Sequence, residues 1–181
     1  FLKPYLYIIL IIYYEYIMNN KTRKKSKKNH CIAVLNMNNI YGIIKFYSHN
    51  SNKIKITYDI TGLTDGLHGF HIHKCGDMSD SCTSACSHFN PTNSEHGGLN
   101  SKIRHAGDLG NIKSHNNKCK GTLYAPTLSI DPTSLYSIIG RAIIVHEDED
   151  DLGLGSNEES KKTGNAGKRL ACGIIGITGG T

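Results

Sequence analysis

The chain has no tryptophan among its 181 residues and only four prolines. No long stretch repeats apolar residues at the 3.6-residue period of an amphipathic helix, which argues against a helical fold. No two cysteines stand as CxxC, which counts against a zinc ribbon or a thioredoxin-type redox site. The six cysteines (31, 75, 82, 86, 119 and 172) are too few for a disulfide scaffold in a chain this long. One selected pair plus free thiols is the expectation. An excess of positive charge is also lacking, except in one place. The formal charge of +6 comes from the run Lys21, Arg23, Lys24, Lys25, Lys27 and Lys28, and the chain from residue 29 onward is formally neutral. A solvated tail is the reading for that run, with nucleic-acid or anionic-membrane contact through residues 1–28 as the alternative. The apolar run from Leu6 to Tyr14 is too short to span a bilayer. It is similar to a signal-peptide core, but only Lys3 precedes it and no small-residue cleavage site follows. Because the sequence opens with Phe1 and Met18 would make a natural start, residues 1–17 read as an upstream extension, with a signal or anchor as the alternative.

Glycine, by contrast, is plentiful at 19 residues. Short apolar runs bounded by Gly, Asn and Asp clusters point to an all-β domain over residues 30–181, preceded by an N-terminal extension over 1–29. Runs 31–35 and 41–47 flank "NMNN", a hairpin-like connection. In residues 53–60, Ile54, Ile56, Tyr58 and Ile60 alternate with Lys55, Thr57 and Asp59, the period of a strand with one buried face. Further strands are expected at 67–73, 119–124 and 137–146, and the closing "RLACGIIGI" makes a last one. Two long loops, about 74–108 and from 147 to 168, exceed the length at which connections are usually functional or disordered.

Ten histidines invite a metal reading. His71 and His73 lie two apart on an expected strand, so both side chains leave the same face and can meet one ion. An HxH pair alone is weak evidence. His88, His96, His105 and Asp108 add three imidazoles and a carboxylate, a tetrahedral set suited to zinc. His146 ends a strand far away in sequence and can return to join His71 and His73. Two sites then share seven ligands, which works if one imidazole bridges two ions. An all-imidazole site left partly open suits redox-active copper, and a closed N/O site suits zinc. Cys75 follows His73 by two, so spacing alone does not exclude it as a thiolate ligand.

The segments "GLHGFHIHKCGD", "HFNPTNSEHGG", "RHAGDLGNI", "GRAIIVHEDEDDLG" and "NEESKKTGNAGKRLACGIIGI" together resemble, in order and spacing, the motifs of the copper/zinc superoxide dismutases. The resemblance covers roughly residues 30–178. It implies a flattened Greek-key β-barrel, sandwich-like, of eight antiparallel strands with two long functional loops. It also implies an oxidoreductase that converts superoxide to dioxygen and hydrogen peroxide, with one copper and one zinc per subunit. On that resemblance His71, His73 and His146 are copper ligands, and His88 bridges copper and zinc. His96, His105 and Asp108 complete the zinc set, and Asp150 links copper- and zinc-ligand histidines. Cys82 and Cys172 form the intrasubunit disulfide. Arg169 stands at the mouth of the copper channel, and Glu158, Glu159, Lys161 and Lys162 shape the field around it. His68 is implied to brace the barrel.

Other residues take plainer readings. His30, His49 and His115 are expected in a tail or loops, solvated, and Asp151 is read as a loop charge. The chain departs from the family in four places, one of them the connection around "NNKCKGTLYAPT", which looks different and compact. Cys75 occupies a position that is usually aromatic or small, and reads as a free thiol. Cys86 and Ser87 replace the usual Gly-Pro, which puts a possible wrong partner for Cys172 four residues from Cys82. The first 29 residues have no expected counterpart. The alternative function is a copper-handling or chaperone domain of the same fold without turnover. A homodimer and a copper chaperone are the implied partners beside superoxide. The expected location is the cytoplasm, which means host cytoplasm or virion for a viral gene. Secretion or membrane anchoring is the alternative if residues 1–17 are a genuine signal or anchor.

Overall fold

The structure is a computed structural model that describes residues 30–50 and 53–179. The apolar segment and the basic run of the N-terminal extension lie outside the described residues. β1 (His30–Met37), β2 (Ile40–Asn50), β3 (Lys53–Thr61), β4 (Gly66–His73), β5 (Asp108–Ser114), β6 (Lys118–Pro126), β7 (Ala142–His146), β8 (Arg169–Ile174) and β9 (Gly176–Ile177) form two antiparallel sheets. One sheet has the order β6-β3-β2-β1-β9 and the other β5-β4-β7-β8. The only α-helix among the described residues is the single turn α1 (Ser160–Thr163), too short to cross a membrane.

Local chemistry explains the first sheet. Ile54, Ile56 and Ile60 of β3 are buried while Lys53, Asp59 and Thr61 are exposed, as the period of two requires. Asn38 and Asn39 both take positive φ (53° and 61°), the two-residue hairpin geometry that matches strand twist and that asparagine tolerates. Asn116 and Asn117 repeat the device between β5 and β6. The core fills the space between the sheets, with Leu35, Ile44, Phe46 and Ile56 from one and Phe70, Ile72, Ile112, Ile143 and Val145 from the other.

The all-β sandwich is as expected, with differences in detail. The last expected strand is split at Ile175, so β8 pairs with β7 in one sheet and β9 with β1 in the other. That crossing links the two sheets and turns eight expected strands into nine. β5 occupies residues assigned to the first loop and its continuation. The strand expected at 137–146 is only 142–146, and Ser137 makes an isolated bridge to Ser129 instead. His30 and His49 lie in strands, where their rings meet Tyr47 and Tyr124. His115 does sit in a turn, exposed, 3.7 Å from Asp65.

The second sheet positions the site. Phe70 and Ile72 of β4 point into the core, so the intervening His71 and His73 leave the opposite face. On β7, Ile143 and Val145 face the core, which sends Ala142, Ile144 and His146 outward. His71 pairs with Ile144, and Arg169 pairs with His146. That outer face is buried, because residues 74–107 and 147–168 fold over it. His68 shares the core-facing parity of Phe70. Its Nδ1 lies 2.8 Å from the His146 carbonyl and its Nε2 2.9 Å from the Thr64 carbonyl, the bracing role expected of it.

Candidate metal centre

All seven expected ligands come together between the outer face of the second sheet and the two loops. His71, His73, His88 and His146 form one group, and His88, His96, His105 and Asp108 form another; in each, the donor atoms lie within 4.8 Å of one another. His88 belongs to both. The ring centroids of His71 and His88 are 4.1 Å apart, and those of His73 and His88 are 4.9 Å apart. Every member is at most 6% exposed, so water does not satisfy these rings.

The hydrogen bonds fix which nitrogen of each ring is free. His71 donates from Nε2 to Asp150 Oδ2 (2.8 Å), and His96 donates from Nε2 to Asp150 Oδ1 (2.8 Å). His73 donates from Nδ1 to the Cys86 carbonyl (2.9 Å), and His146 from Nδ1 to the Gly167 carbonyl (3.2 Å). His88 places Nδ1 2.8 Å from Asp108 Oδ1. The opposite nitrogens of four of these rings, namely His71 Nδ1, His73 Nε2, His88 Nε2 and His146 Nε2, are buried without a hydrogen-bond partner, and His96 Nδ1, in no hydrogen bond, faces Asp108 Oδ1 at 3.1 Å. An unpartnered buried polar atom costs about 1–3 kcal/mol, so the four that converge in the first group call for a ligand that accepts lone pairs. A metal ion is that ligand, and neutral imidazole held in one tautomer by its other nitrogen is how proteins present it.

The two groups differ in charge. In the second, Asp108 Oδ1 lies 2.8, 3.1 and 3.1 Å from Nδ1 of His88, His96 and His105. Four donors about 2.0–2.1 Å from a tetrahedral zinc stand about 3.3 Å apart, and the three distances from Asp108 are close to that spacing. The first group has no carboxylate. Burial pushes the pKa of His88 down to about 3, with help from His71, and that of His146 down to about 2; His73 is driven far down, again chiefly by burial. Burial opposes charge on His96 too, but the carboxylates of Asp108 and Asp150 beside its ring outweigh it and lift its pKa to about 9. Against burial, the imidazole bonds hold Asp108 and Asp150 well below the usual carboxylate range. His71, His96 and Asp150 also cluster, but both rings spend Nε2 on the carboxylate, which makes this a hydrogen-bonded link between the two groups.

The first group opens into a cleft of about 960 Å³, lined among others by His73, His88, His146, Arg169, Glu158, Glu159, Lys161 and Lys162. Arg169 donates from Nη1 to the carbonyls of Cys82 (2.7 Å) and Thr83 (3.0 Å), and from Nη2 to that of Cys86 (2.6 Å). The Cys82–Cys172 disulfide ties this loop segment to β8. Lys161 Nζ is turned to the Gly153 carbonyl (2.5 Å). Cys75 is neither ligand nor free thiol. It is bonded to Cys86, so Cys86 is not a competing partner for Cys172, and Cys31 and Cys119 remain as free, buried thiols. The expectation of a single pair is corrected to two.

Several residues that matter here were missed in the sequence. Asn111 accepts from the Asp150 N–H and donates to the Asp150 carbonyl, each at 2.8 Å, and so holds the linking carboxylate. Arg104 donates to the carbonyls of His105, Ala106 and Asp108, fixing the turn that carries two ligands. Asp151, read as a loop charge, accepts from the Gly153 N–H, Ser160 Oγ and Asn165 Nδ2 and organises the second loop. Gly164 has φ +70°, and a Cβ there would collide with the Asp150 carboxylate. None of the four has a composition or spacing signal of its own.

The sequence matches the family model described as copper/zinc superoxide dismutase (SODC) over residues 40–175. The chain belongs to the copper/zinc superoxide dismutase family. A superoxide dismutase [Cu-Zn] of Paramecium bursaria Chlorella virus 1 is 47% identical over 176 residues, covering 93% of this chain and 92% of the relative. That share exceeds what residues 30–181 make up, so this relative has a counterpart to part of the N-terminal extension, contrary to expectation. Superoxide dismutase [Cu-Zn] A of Xenopus laevis is 46% identical over 138 residues, covering 76% of this chain and 90% of the relative. A crystal structure of the clock protein EA4 superposes with a TM-score of 0.80 at 42% identity, covering 84% of this chain and 97% of that one. A copper/zinc superoxide dismutase is an oxidoreductase with copper and zinc as cofactors, and both donor groups here suit those ions.

Proposed function

We propose that His71, His73, His88 and His146 hold copper, that His88, His96, His105 and Asp108 hold zinc, and that the chain dismutates superoxide at the copper side. The observation that carries this reading is the set of four buried, unpartnered ring nitrogens that converge in the first group, with His88 shared by the Asp108-centred second group. Bound copper supplies the one-electron couple: one superoxide is oxidised to dioxygen, and a second is reduced and takes two protons to become hydrogen peroxide. The side chains do the rest. His88 Nε2 lies on the cleft side with a free lone pair, and is the atom positioned to carry one of the two protons. Nδ1 of the same ring stands 2.8 Å from Asp108 Oδ1, on the side of the second group, where a bound zinc would take that nitrogen and set the ring's orientation and basicity. Asp150 holds His71 and His96 in the tautomers that ligation needs. Arg169, an always-charged fork anchored on three carbonyls, attracts and docks the anion. Lys161, Lys162, Glu158 and Glu159 shape the field at the cleft, a form of steering that can raise association rates by roughly 10–10³.

A homodimer is the assembly that goes with this reading. Val34 and Ile43, paired across β1 and β2, and Ile174 and Ile177 offer apolar surface for it. A copper chaperone remains a proposed partner. A viral gene is in keeping with the chlorella-virus relative, and host cytoplasm or virion is the corresponding proposed location. Dismutation by the metal-reconstituted protein, assayed alongside metal counts, tests the function. One copper and one zinc per chain with rapid turnover is the expected result. Full occupancy without turnover would favour the copper-handling alternative.

A further inference from the structure

Cys86 has φ +67° and ψ −156°, a combination that is essentially reserved for glycine and that other residues keep only when their surroundings enforce it. The carbonyl of this one residue accepts from two groups of the site, His73 Nδ1 at 2.9 Å and Arg169 Nη2 at 2.6 Å. Its side chain is exposed, so packing does not enforce the conformation. What does hold the residue is a covalent bond to Cys75, two residues beyond His73, with Cα atoms 5.6 Å apart. The bond spans a short antiparallel ladder in which Lys74 N–H donates to the Ser87 carbonyl and Cys75 N–H to the Ala85 carbonyl.

We infer that the Cys75–Cys86 disulfide is a positioning device for the copper side: it holds residue 86 in a glycine-type conformation that aims one carbonyl at both His73 and Arg169. A cysteine can stand at this position because the crosslink supplies the restraint that its own backbone preference opposes. The inference rests on the assignment of His73 to copper. Copper binding by the wild-type protein tests that assignment, and the variants below test the bond.

A peptide map of the unreduced wild-type protein should show Cys75 linked to Cys86; a map without that linkage overturns the proposal. Two double variants, C75A/C86A and C75A/C86G, then separate crosslink from conformation. Copper retention against a chelator and the copper(II) electron paramagnetic resonance spectrum are the readouts, with zinc retention as the control. In C75A/C86A, alanine should leave the glycine-type conformation, copper should be held about tenfold more weakly and the spectrum should change, with zinc retention unaltered. In C75A/C86G, the wild-type spectrum and retention to within about threefold should return, because glycine adopts the conformation unaided. Wild-type behaviour of C75A/C86A, or equal losses in both variants, would overturn the inference. Should C75A/C86A fail to fold, C75A/C86G decides alone: it must keep the wild-type spectrum without the bond.

Discussion

The two nitrogens of His88 face environments built from the same side chain to opposite electrostatic effect. On the Nδ1 side, Asp108 places a carboxylate oxygen against three imidazoles, and His96 is lifted to a pKa of about 9. On the Nε2 side the rings of His71, His73 and His146 gather with no carboxylate among the donors, and burial drives His73 and His146 down. One side is a closed, preformed site with its own negative charge. The other has no carboxylate among its donors, meets Asp150 only through the far nitrogen of His71, and opens to a cleft lined by Arg169. The difference teaches that histidine count does not set the chemistry of a metal site. On the proposed assignment, the presence or absence of one buried carboxylate among the donors separates the side that holds a structural cation from the side left for redox work.

Removing that carboxylate is the strongest way to break the contrast. Asp108→Asn takes away the charge and also presents an amide N–H₂ where Asp108 Oδ2 now accepts from the His105 N–H (2.7 Å) and the Gly97 N–H (3.1 Å). Leaving buried partners uncompensated costs about 3–5 kcal/mol, so zinc affinity should fall roughly 10³-fold by chelator competition. Copper affinity should change by less than about tenfold. Equal losses at both sites would show that the two sides are not electrostatically separate.

How far the sequence revealed this contrast depended on the kind of signal. β3 was legible because one face is solvated, so Ile54, Ile56 and Ile60 stand out against charged neighbours. The seven candidate ligands were legible because few residue types bind metals and their joint spacing is specific. β5 was not. Only Leu109 and Ile112 are large and apolar, and they stand three apart; Asp108 and Ser114 are buried polar residues, and Gly110 interrupts the pattern at φ +75°, so the sequence shows no period of two. Asn111 and Arg104 were illegible for a related reason: they act through main-chain groups, whose positions sequence spacing does not report. Cys75 and Cys86 lie eleven residues apart, and nothing in that spacing chooses between a bond and two thiols.

Asp150 should have a smaller effect than Asp108, but on both sides at once. It binds one ring from each group, and an asparagine could accept from only one of them. Outer partners of this kind are typically worth 10–100-fold in metal affinity. Asp150→Asn should therefore weaken copper and zinc binding by comparable factors in that range, measured separately by competition. A loss confined to zinc would mean that the sheet alone fixes His71, without help from the carboxylate.

The smallest expected effect belongs to Arg169, the residue proposed to meet the substrate at the cleft. Arg169→Gln removes the charge at the cleft and should leave zinc content unchanged, because Arg169 contacts no zinc-side ligand directly. The rate of dismutation should fall about tenfold at low ionic strength and less at high, since salt screens the attraction that the guanidinium supplies to the wild-type protein. Arg169→Lys sharpens the distinction. It keeps the charge but loses the planar fork that spans the carbonyls of residues 82, 83 and 86, so it should restore the salt dependence while recovering only part of the rate. If the Gln variant matches wild type at every ionic strength, the neutral copper side draws in its anion without Arg169, and the field of the loop carrying Lys161 and Lys162 must do so instead.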